Sequence, residues 1–299
     1  MAAELNYLAS LNLVNQVKNA CAGNPRLLGA EASDECKRTV LHAAASAGAL
    51  DIIRWVAKRV GEKDASRSKL AERERAEKQR PSKLEALLEA KDIDSFAPMH
   101  YAAANGHTAA VALLYHLGAS IRTTDKLGRT PLILAASSGH AQVVRYLLEH
   151  DARANFKDKF GNTALHWAIA KGRIECVHVL ISMGADLYAP TFNNLTPHQL
   201  AEERGQRTLA STLQQLDERR AALFAAVRLN ATDALRELLR TDLIVPRDKD
   251  GKSALHLAAE RGRVDVAQLL LREGFSYRQR DKFNRLPIHW AAARGNSPV

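Results

Sequence analysis

A histidine, an aromatic ring and an amine lie close together in the stretch NTALHWAIAKG, residues 162–172, where His166 precedes Trp167 and Lys171 follows four residues later. Imidazole and amine groups on one short helix are residue types suited to general acid–base catalysis. Two further stretches offer chemistry: Cys176 with His178 as metal ligands, and GKS at 251–253 as the end of a phosphate-binding loop. Each candidate has to be weighed against the elements that position it.

None of these candidates has the spacing that its chemistry needs. Residues two apart on a helix point in different directions, which argues against a metal site at Cys176 and His178. The first glycine of a phosphate-binding loop would fall at position 246, which is Pro246. The motifs H-E-x-x-H, G-x-S-x-G and G-x-G-x-x-G are absent. We therefore predict no enzyme, no small-molecule substrate, no cofactor and no metal ion.

The surroundings of His166 recur along the chain. The recurring stretches are TVLHAAASAG from Thr39, APMHYAAANG from Ala97, TPLILAASSG from Thr130, TALHWAIAKG from Thr163, TPHQLAEERG from Thr196, SALHLAAERG from Ser253 and LPIHWAAARG from Leu286. Neighbouring stretches start 33 residues apart from Ala97 to Thr196 (130 − 97, 163 − 130, 196 − 163) and again from Ser253 to Leu286 (286 − 253). A catalytic histidine is needed once, whereas a structural histidine is needed in every unit.

Motif and period together resemble the ankyrin repeat, whose signature is T-P-L-H-x-A. The resemblance covers roughly residues 38–294 and implies about seven to eight repeats. It implies an all-α fold, an ankyrin-repeat solenoid of helix-turn-helix units with projecting β-hairpin loops. In this family the histidine bridges the capping residue and the backbone of adjacent hairpins, which assigns structural roles to His42, His100, His166, His256 and His289, and to the capping residues Thr39, Thr130, Thr163, Thr196 and Ser253.

The residues of each unit also predict its local structure. Thr or Ser at the first position of the motif caps a helix. Pro at the next position is tolerated in the first helical turn, because an N–H there would have no partner within the helix. A glycine ends that helix after about two turns, and a second helix follows with apolar residues at helical spacing. Helices this short are not stable alone, so each pair must bury its apolar side against its neighbours.

Two intervals longer than one period divide the chain. We predict a degenerate N-terminal capping repeat at 1–36, an ankyrin repeat at 37–61, and a charged insertion at 62–90. Repeats at 91–216 end in a short repeat, and further repeats at 217–299 follow, the last one incomplete. A joint is expected near 217–220. The insertion is either a solvated, partly helical excursion or a docking element. The missing second helix of the last repeat suggests a longer natural product or a truncated form, or else a partner or self-association that covers the face left open.

In ankyrin repeats the finger-like hairpin tips and the first helices usually bind partners. Mapped onto this chain, these positions predict a partner-binding surface of apolar tip residues beside a basic lane. Its members are Ile93, Lys126, Leu127, Arg129, Lys157, Lys159, Phe160, Lys171, Phe192, Lys249, Lys252, Arg261, Lys282, Phe283 and Arg285. Alternatively, the charged fingers only keep the protein in solution and the tip residues fold back on neighbouring hairpins. Trp167, Tyr101 and Trp290 share one repeat position and are expected to pack.

The net charge of +10 favours an acidic partner without identifying it. The leading hypothesis is a protein-interaction scaffold or adaptor that binds an acidic, partly hydrophobic segment. The alternatives are the recognition module of a longer enzyme or membrane protein (kinase, ubiquitin-ligase or acyltransferase type), and a basic surface for nucleic acid or anionic lipid, which lacks a supporting motif. Three widely spaced cysteines, no signal sequence and no transmembrane segment predict a cytoplasmic protein, with the nucleus as an alternative.

Overall fold

The computed structural model describes residues 1–28, 33–61, 82–240, 247–248 and 250–296. All regular structure within these residues is helical, and no strand occurs in them. The chain forms two compact units: unit 1 comprises Met1–Arg153 and Lys157–Phe160, and unit 2 comprises Ala154–Phe156 and Gly161–Val299. Most of the predicted charged insertion and the predicted contact residue Lys249 lie outside the described residues.

Unit 1 is built from short helices in pairs. They are α1 (Ala2–Ser10), α2 (Val14–Gly23), α3 (Val40–Ala47), α4 (50–61), α5 (Lys83–Leu88), α6 (Pro98–Ala104), α7 (Thr108–His116), α8 (Pro131–Ser138) and α9 (Ala141–Glu149), with a 3₁₀ turn at Pro25–Leu28. The first helices of successive pairs, α1, α3, α6 and α8, pack side by side in chain order. Turns connect successive pairs.

Unit 2 repeats this plan with one change. Its helices are α10 (Ala164–Ala170), α11 (Ile174–Ser182), α12 (Pro197–Glu203), α13 (Arg207–Leu229), α14 (Thr232–Leu239), α15 (Ala254–Glu260), α16 (Val264–Arg272) and α17 (Pro287–Ala293). Helix α10 packs against α12, α13 against α15, and α15 against α17. The change is α13, which is much longer than the others.

The pair α8 and α9 shows why these residues form these elements. The hydroxyl of Thr130 accepts the N–H of Ile133, and Pro131 occupies the first position of α8. Gly139 ends the helix with a φ of 96°, which favours glycine. Leu147 of α9 is fully buried, and burial of such a side chain contributes about 1.5–3 kcal/mol. Burial between repeats, more than helix propensity, therefore stabilises the pair.

The end of the predicted insertion, residues 62–90, belongs to the packed fold. Residues 83–88 form α5, which begins with a reciprocal cap: the Ser82 hydroxyl accepts the Glu85 N–H, and the Glu85 carboxylate accepts the Ser82 N–H. Leu87 and Leu88 are buried. The last residues of the predicted insertion thus form a helix with two buried leucines, while residues 62–81, for which a solvated excursion or a docking element is predicted, lie outside the described residues.

The predicted joint at 217–220 lies inside α13. This helix runs for 23 residues, from Arg207 to Leu229, and joins the second helix of one repeat to the first helix of the next without a projecting turn. At its centre Asp217 accepts hydrogen bonds from the Tyr188 hydroxyl and from Arg220, whose guanidinium lies 5.1 Å from the Tyr188 ring centroid. A helical connection therefore replaces the finger at this repeat boundary.

Candidate partner-binding surface

Most fingers are folded around one aspartate carboxylate, whereas in the finger 191–195 the Thr191 hydroxyl accepts the Leu195 N–H. In the finger 125–129, Asp125 Oδ1 accepts the N–H groups of Leu127 (2.9 Å) and Arg129 (2.8 Å). In the finger 281–285, Asp281 Oδ1 accepts those of Phe283 (2.8 Å) and Arg285 (2.9 Å). The same bonds form at Asp34, Asp92 and Asp248. These hydrogen bonds hold the backbone of the turn in place, and with it the Cα–Cβ direction of the tip residue.

Neighbouring tips are joined by single backbone hydrogen bonds. In unit 1, Lys126 N–H donates to Asp94 O (3.0 Å) and Lys159 N–H to Leu127 O (3.0 Å). In unit 2, Lys282 N–H donates to Asp250 O (3.1 Å). The described fingers contain no strand, so the β-hairpin form expected from the resemblance is not visible, and the fingers are hydrogen-bonded turns.

The predicted apolar tip residues are exposed. Leu127 and Phe160 in unit 1 expose 39% and 54% of their surface, and Phe192 and Phe283 in unit 2 expose 70% and 66%. Ile93 is also exposed, but it lies one residue earlier in its finger than the tip residues. Its N–H donates to Cys36 O, as the N–H groups of Lys126 and Lys159 donate to carbonyl oxygens of the fingers before them. These side chains lie outside the core, and the Phe192 ring lies against Gly161 of the neighbouring finger.

Many of the predicted basic residues are paired inside the protein. In unit 1, Arg129 Nε is 2.8 Å from Asp125, and Lys126 Nζ is 3.6 Å from Asp94. In unit 2 three more pairs form: Arg285 with Asp281 (2.9 Å), Lys252 with Glu260 (2.9 Å) and Lys282 with Asp186 (3.0 Å). The predicted basic lane is therefore largely neutralised at the fingers.

In unit 2 the paired cations form a ladder with Trp290. The Arg285 guanidinium lies 4.5 Å from the Phe283 ring centroid and 4.0 Å from the Trp290 ring, and Lys252 Nζ lies 3.6 Å from the Trp290 ring. The indole N–H donates to Asp281 Oδ2 (2.9 Å). Burial opposes ionisation of Asp281, but these hydrogen bonds, led by the Arg285 N–H, keep its pKa below the usual value.

Trp290 has a counterpart in unit 1. The hydroxyl of Tyr101 donates to Asp92 Oδ2 (2.7 Å), and its burial together with that bond raises the pKa of the phenol. The aromatic residue after the repeat histidine therefore fastens the finger aspartate of its own repeat. Sequence reasoning missed this link, although the available signal was an aromatic residue nine positions after the finger aspartate, as at Asp92, Asp158 and Asp281.

The repeat histidines connect the first helices to the next finger. At His42, Nδ1 accepts the Thr39 N–H (3.0 Å) and Nε2 lies 2.9 Å from Phe96 O. The same pair of bonds places His100 against Ala97 and Arg129, and His256 against Ser253 and Arg285. At His166 and His289 the structure records the bonds of Nδ1 to Thr163 N (3.2 Å) and Leu286 N (2.8 Å).

Burial favours the neutral form of three of these histidines, His42, His100 and His256. It lowers the pKa of His100 to about 4, against the opposing hydrogen bond to Arg129 O, and it lowers the pKa values of His42 and His256. A neutral ring with Nδ1 as acceptor and Nε2 as donor matches the two bonds. The imidazoles are structural connectors, each held between two backbone segments.

Three repeats replace the histidine by another residue: Ile133, Gln199 and Phe224. Thr196 N–H donates to Gln199 Oε1 (2.9 Å), so an amide oxygen replaces the histidine Nδ1 as the acceptor. In the repeat that begins inside α13, Phe224 occupies the position and is 4% exposed in a core with Leu223, Leu255 and Val266. Since no finger precedes that repeat, there is no finger-side N–H for an imidazole to accept.

The remaining chemical candidates have structural surroundings. Cys176 is buried in α11, and burial raises the pKa of its thiol to about 11, which keeps it protonated. Lys252 of GKS is held by Glu260, and Ser253 begins α15. Within the described residues no group of three or more His, Cys, Asp or Glu is arranged for a metal ion. None of the helices described is long and apolar enough to cross a membrane.

Several further cations are exposed. Lys159 is exposed at the tip beside Phe160, and Lys171 and Arg261 are the residues at which α10 and α15 end. Lys157 is also exposed. Two cations that sequence reasoning missed, Arg204 and Arg207, flank the turn after α12. For Arg204 the signal was a basic residue directly before the repeat glycine, Gly205.

Comparison with known families agrees with this architecture. The sequence profile described as Ankyrin repeats (3 copies) matches residues 5–125, 99–191, 197–281 and 223–299. The chain belongs to the ankyrin repeat family, which confirms the predicted family and the all-α class. Ankyrin repeats are generally non-catalytic protein-interaction modules.

One relative shows similarity over part of the chain. It is the transient receptor potential cation channel subfamily A member 1 homolog of Caenorhabditis elegans, 32% identical over 99 residues. The alignment covers 32% of this chain and 8% of that protein. The similarity thus concerns a small part of the channel homolog.

Proposed function

We propose that this chain is a non-catalytic scaffold or adaptor whose fingertips bind a segment of another protein. The observation that carries the proposal is the exposure of apolar side chains on rigid turns: Phe160 N–H donates to Asp158 Oδ1 (2.9 Å), while its ring is 54% exposed. A preorganised apolar side chain loses little conformational entropy on binding, which favours its use as an anchor.

The unit 1 fingertips offer the best defined contact. Leu127 and Phe160 lie on fingers joined by the bond from Lys159 N–H to Leu127 O, so the two side chains belong to one surface. The Lys159 ammonium is exposed beside them. This surface fits a segment with apolar residues and a nearby carboxylate, and we place such binding in the cytoplasm, with the nucleus as an alternative.

A peptide-display selection tests the proposal. The intact chain and its L127A/F160A variant are used to select from a random peptide library, and thermal unfolding is measured for both proteins. We expect the intact chain to enrich peptides with apolar and acidic residues that bind the variant at least tenfold more weakly, at unchanged thermal stability. Equal affinity of the selected peptides for both proteins would refute fingertip recognition.

A second candidate function rests on the similarity to the channel homolog. In that case the repeats are the recognition module of a membrane protein. Fractionation of cells with an antibody raised against unit 2 distinguishes the two: the adaptor hypothesis expects the antigen in the soluble fraction, and the module hypothesis expects it in detergent-extracted membranes.

A further inference from the structure

A groove on unit 2 lies between two helix-connecting turns, at the opposite end of the first helices from the fingers. It has a volume of about 310 Å³ and is lined by Gly172 and Ile174 on one side and by residues 205–209 on the other. Ile174, 51% exposed, supplies an apolar wall. Helix α10, seven residues long, separates the groove from the finger end by about 10 Å.

This junction lacks a hydrogen bond that other junctions have. At four comparable turns the side chain after the glycine position donates to a carbonyl near the end of the preceding first helix. The bonds are His107 to Ser46 O (3.0 Å), His140 to Ala104 O (2.9 Å), Arg263 to Arg228 O (3.1 Å) and Asn296 to Ala259 O (3.0 Å). Gln206 has this position in the groove, and its Oε1 is buried without a partner among the described residues. An unsatisfied amide is costly unless a ligand meets it.

Three cations surround the groove. Lys171 and Arg204 end the neighbouring helices α10 and α12, and Arg207 lines the groove itself. All three are exposed, and within the described part of the chain none has a carboxylate within ion-pair distance. This contrasts with the fingers of the same unit, where Lys252, Lys282 and Arg285 are all paired.

Helix stabilisation does not account for this charge. A cation at a helix C-terminus interacts favourably with the helix dipole, which applies to every first helix. In unit 1 the residue directly before the repeat glycine is nevertheless neutral. It is Ala47 at α3, Asn105 at α6 and Ser138 at α8. The cations are therefore specific to unit 2, where the open groove lies.

From these observations we propose that the turn groove of unit 2 is a second binding site, which takes a short acidic peptide segment with one apolar side chain. The apolar side chain packs on Ile174, the Gln206 side chain, which lacks the junction hydrogen bond, turns to accept an N–H of the peptide backbone, and flanking carboxylates face Lys171, Arg204 and Arg207. A polypeptide fits better than a nucleic acid because the groove combines an apolar wall and an amide with the positive charge. The site goes beyond the fingertip function and does not depend on it.

The test measures binding of a fluorescent peptide with one leucine between glutamates, by anisotropy, to the intact chain. We expect K171A/R204A/R207A to bind this peptide about tenfold more weakly. A second peptide has serine in place of the leucine, and the ratio of the affinities for the leucine and serine peptides should be smaller for Ile174→Ser than for the intact chain. The matched control R122A/R145A/R153A removes three exposed cations from unit 1 and should bind as the intact chain does. Thermal unfolding of each variant confirms that it is folded.

Four results would overturn the inference. They are equal binding of the leucine and serine peptides to the intact chain, equal loss of binding in the unit 1 control, displacement of the peptide by a single-stranded oligonucleotide of the same charge at equal concentration, and loss of binding in L127A/F160A. The last result would assign the peptide to the fingertips. Retained binding in that variant separates this site from the proposed fingertip function.

Discussion

The Nε2 atom of His100 lies 3.2 Å from the carbonyl oxygen of Arg129, which places a neutral imidazole between the first helix of one repeat and the finger of the next. Its Nδ1 accepts the Ala97 N–H (3.0 Å). The ring thereby joins two repeats. Protonation of Nδ1 would remove the acceptor of the Ala97 N–H and so break this hydrogen bond.

Stability should fall as the solution is acidified from about pH 7.5 to pH 5. Folded His100 titrates at about 4, whereas an unfolded histidine titrates near 6.5, so between these values the unfolded chain binds more protons. The full contribution is present above about 6.5 and is lost progressively toward 4. Urea unfolding of the intact chain should show a loss of roughly 2 kcal/mol from this residue at pH 5.

The variant His100→Gln isolates that contribution. An amide oxygen accepts the corresponding N–H at Gln199, and it does not titrate. We expect the variant to be less dependent on pH than the intact chain, with the remaining dependence due to His42 and His256, whose pKa values burial also lowers. The same pH dependence in both proteins would contradict the assignment.

Removal of a finger carboxylate should destabilise unit 2. Asp281 accepts hydrogen bonds from two backbone N–H groups and from Trp290, and it pairs with Arg285. Asp281→Ala leaves those donors unsatisfied and should cost about 3 kcal/mol in thermal unfolding. Asp250→Ala, at the exposed tip of the preceding finger, should change stability by less than about 0.5 kcal/mol. A similar effect of both changes would count against the carboxylate-centred finger.

Two phenylalanines of unit 2 should respond in opposite ways to truncation. Phe224 is 4% exposed, and Phe224→Ala should cost about 3–5 kcal/mol because it leaves a cavity. Phe283 is 66% exposed, and Phe283→Ala should cost less than about 1 kcal/mol, the value of its contact with Arg285. Chemical unfolding checks both. A large loss at Phe283 would show that this tip residue stabilises the fold instead of being available to a partner.

The continuity of α13 can be tested with one proline. Glu218 is exposed in the helix interior, and Glu218→Pro should cost about 3 kcal/mol or more because it removes a helical hydrogen bond and clashes with the preceding turn. Glu218→Ala should be nearly neutral. If proline were tolerated as well as alanine in thermal unfolding, residues 217–220 would be a joint, as the interrupted repeat pattern suggests.

Much of the repeat could be predicted because its determinants are local. Thr130, Pro131 and Gly139 specify the bounds of α8 within one turn of each end, and the turn sequences with Asp and Gly specify the fingers. The aspartate and arginine four residues apart in a finger, as at Asp281 and Arg285, also form an ion pair that the sequence spacing indicates. The basic lane predicted from the sequence nevertheless counts Arg285 as an available cation.

The sequence by itself determined the repeat, the all-α class and the positions of caps, connecting histidines and tips, since these depend on residues at most a few positions apart. Only the tertiary structure decided which cations remain available. Lys282 pairs with Asp186, far away in the chain, and α13 crosses the predicted joint without a break. Such pairings follow from how the helices pack, because ion-pair distances depend on three-dimensional positions that a 33-residue period does not contain.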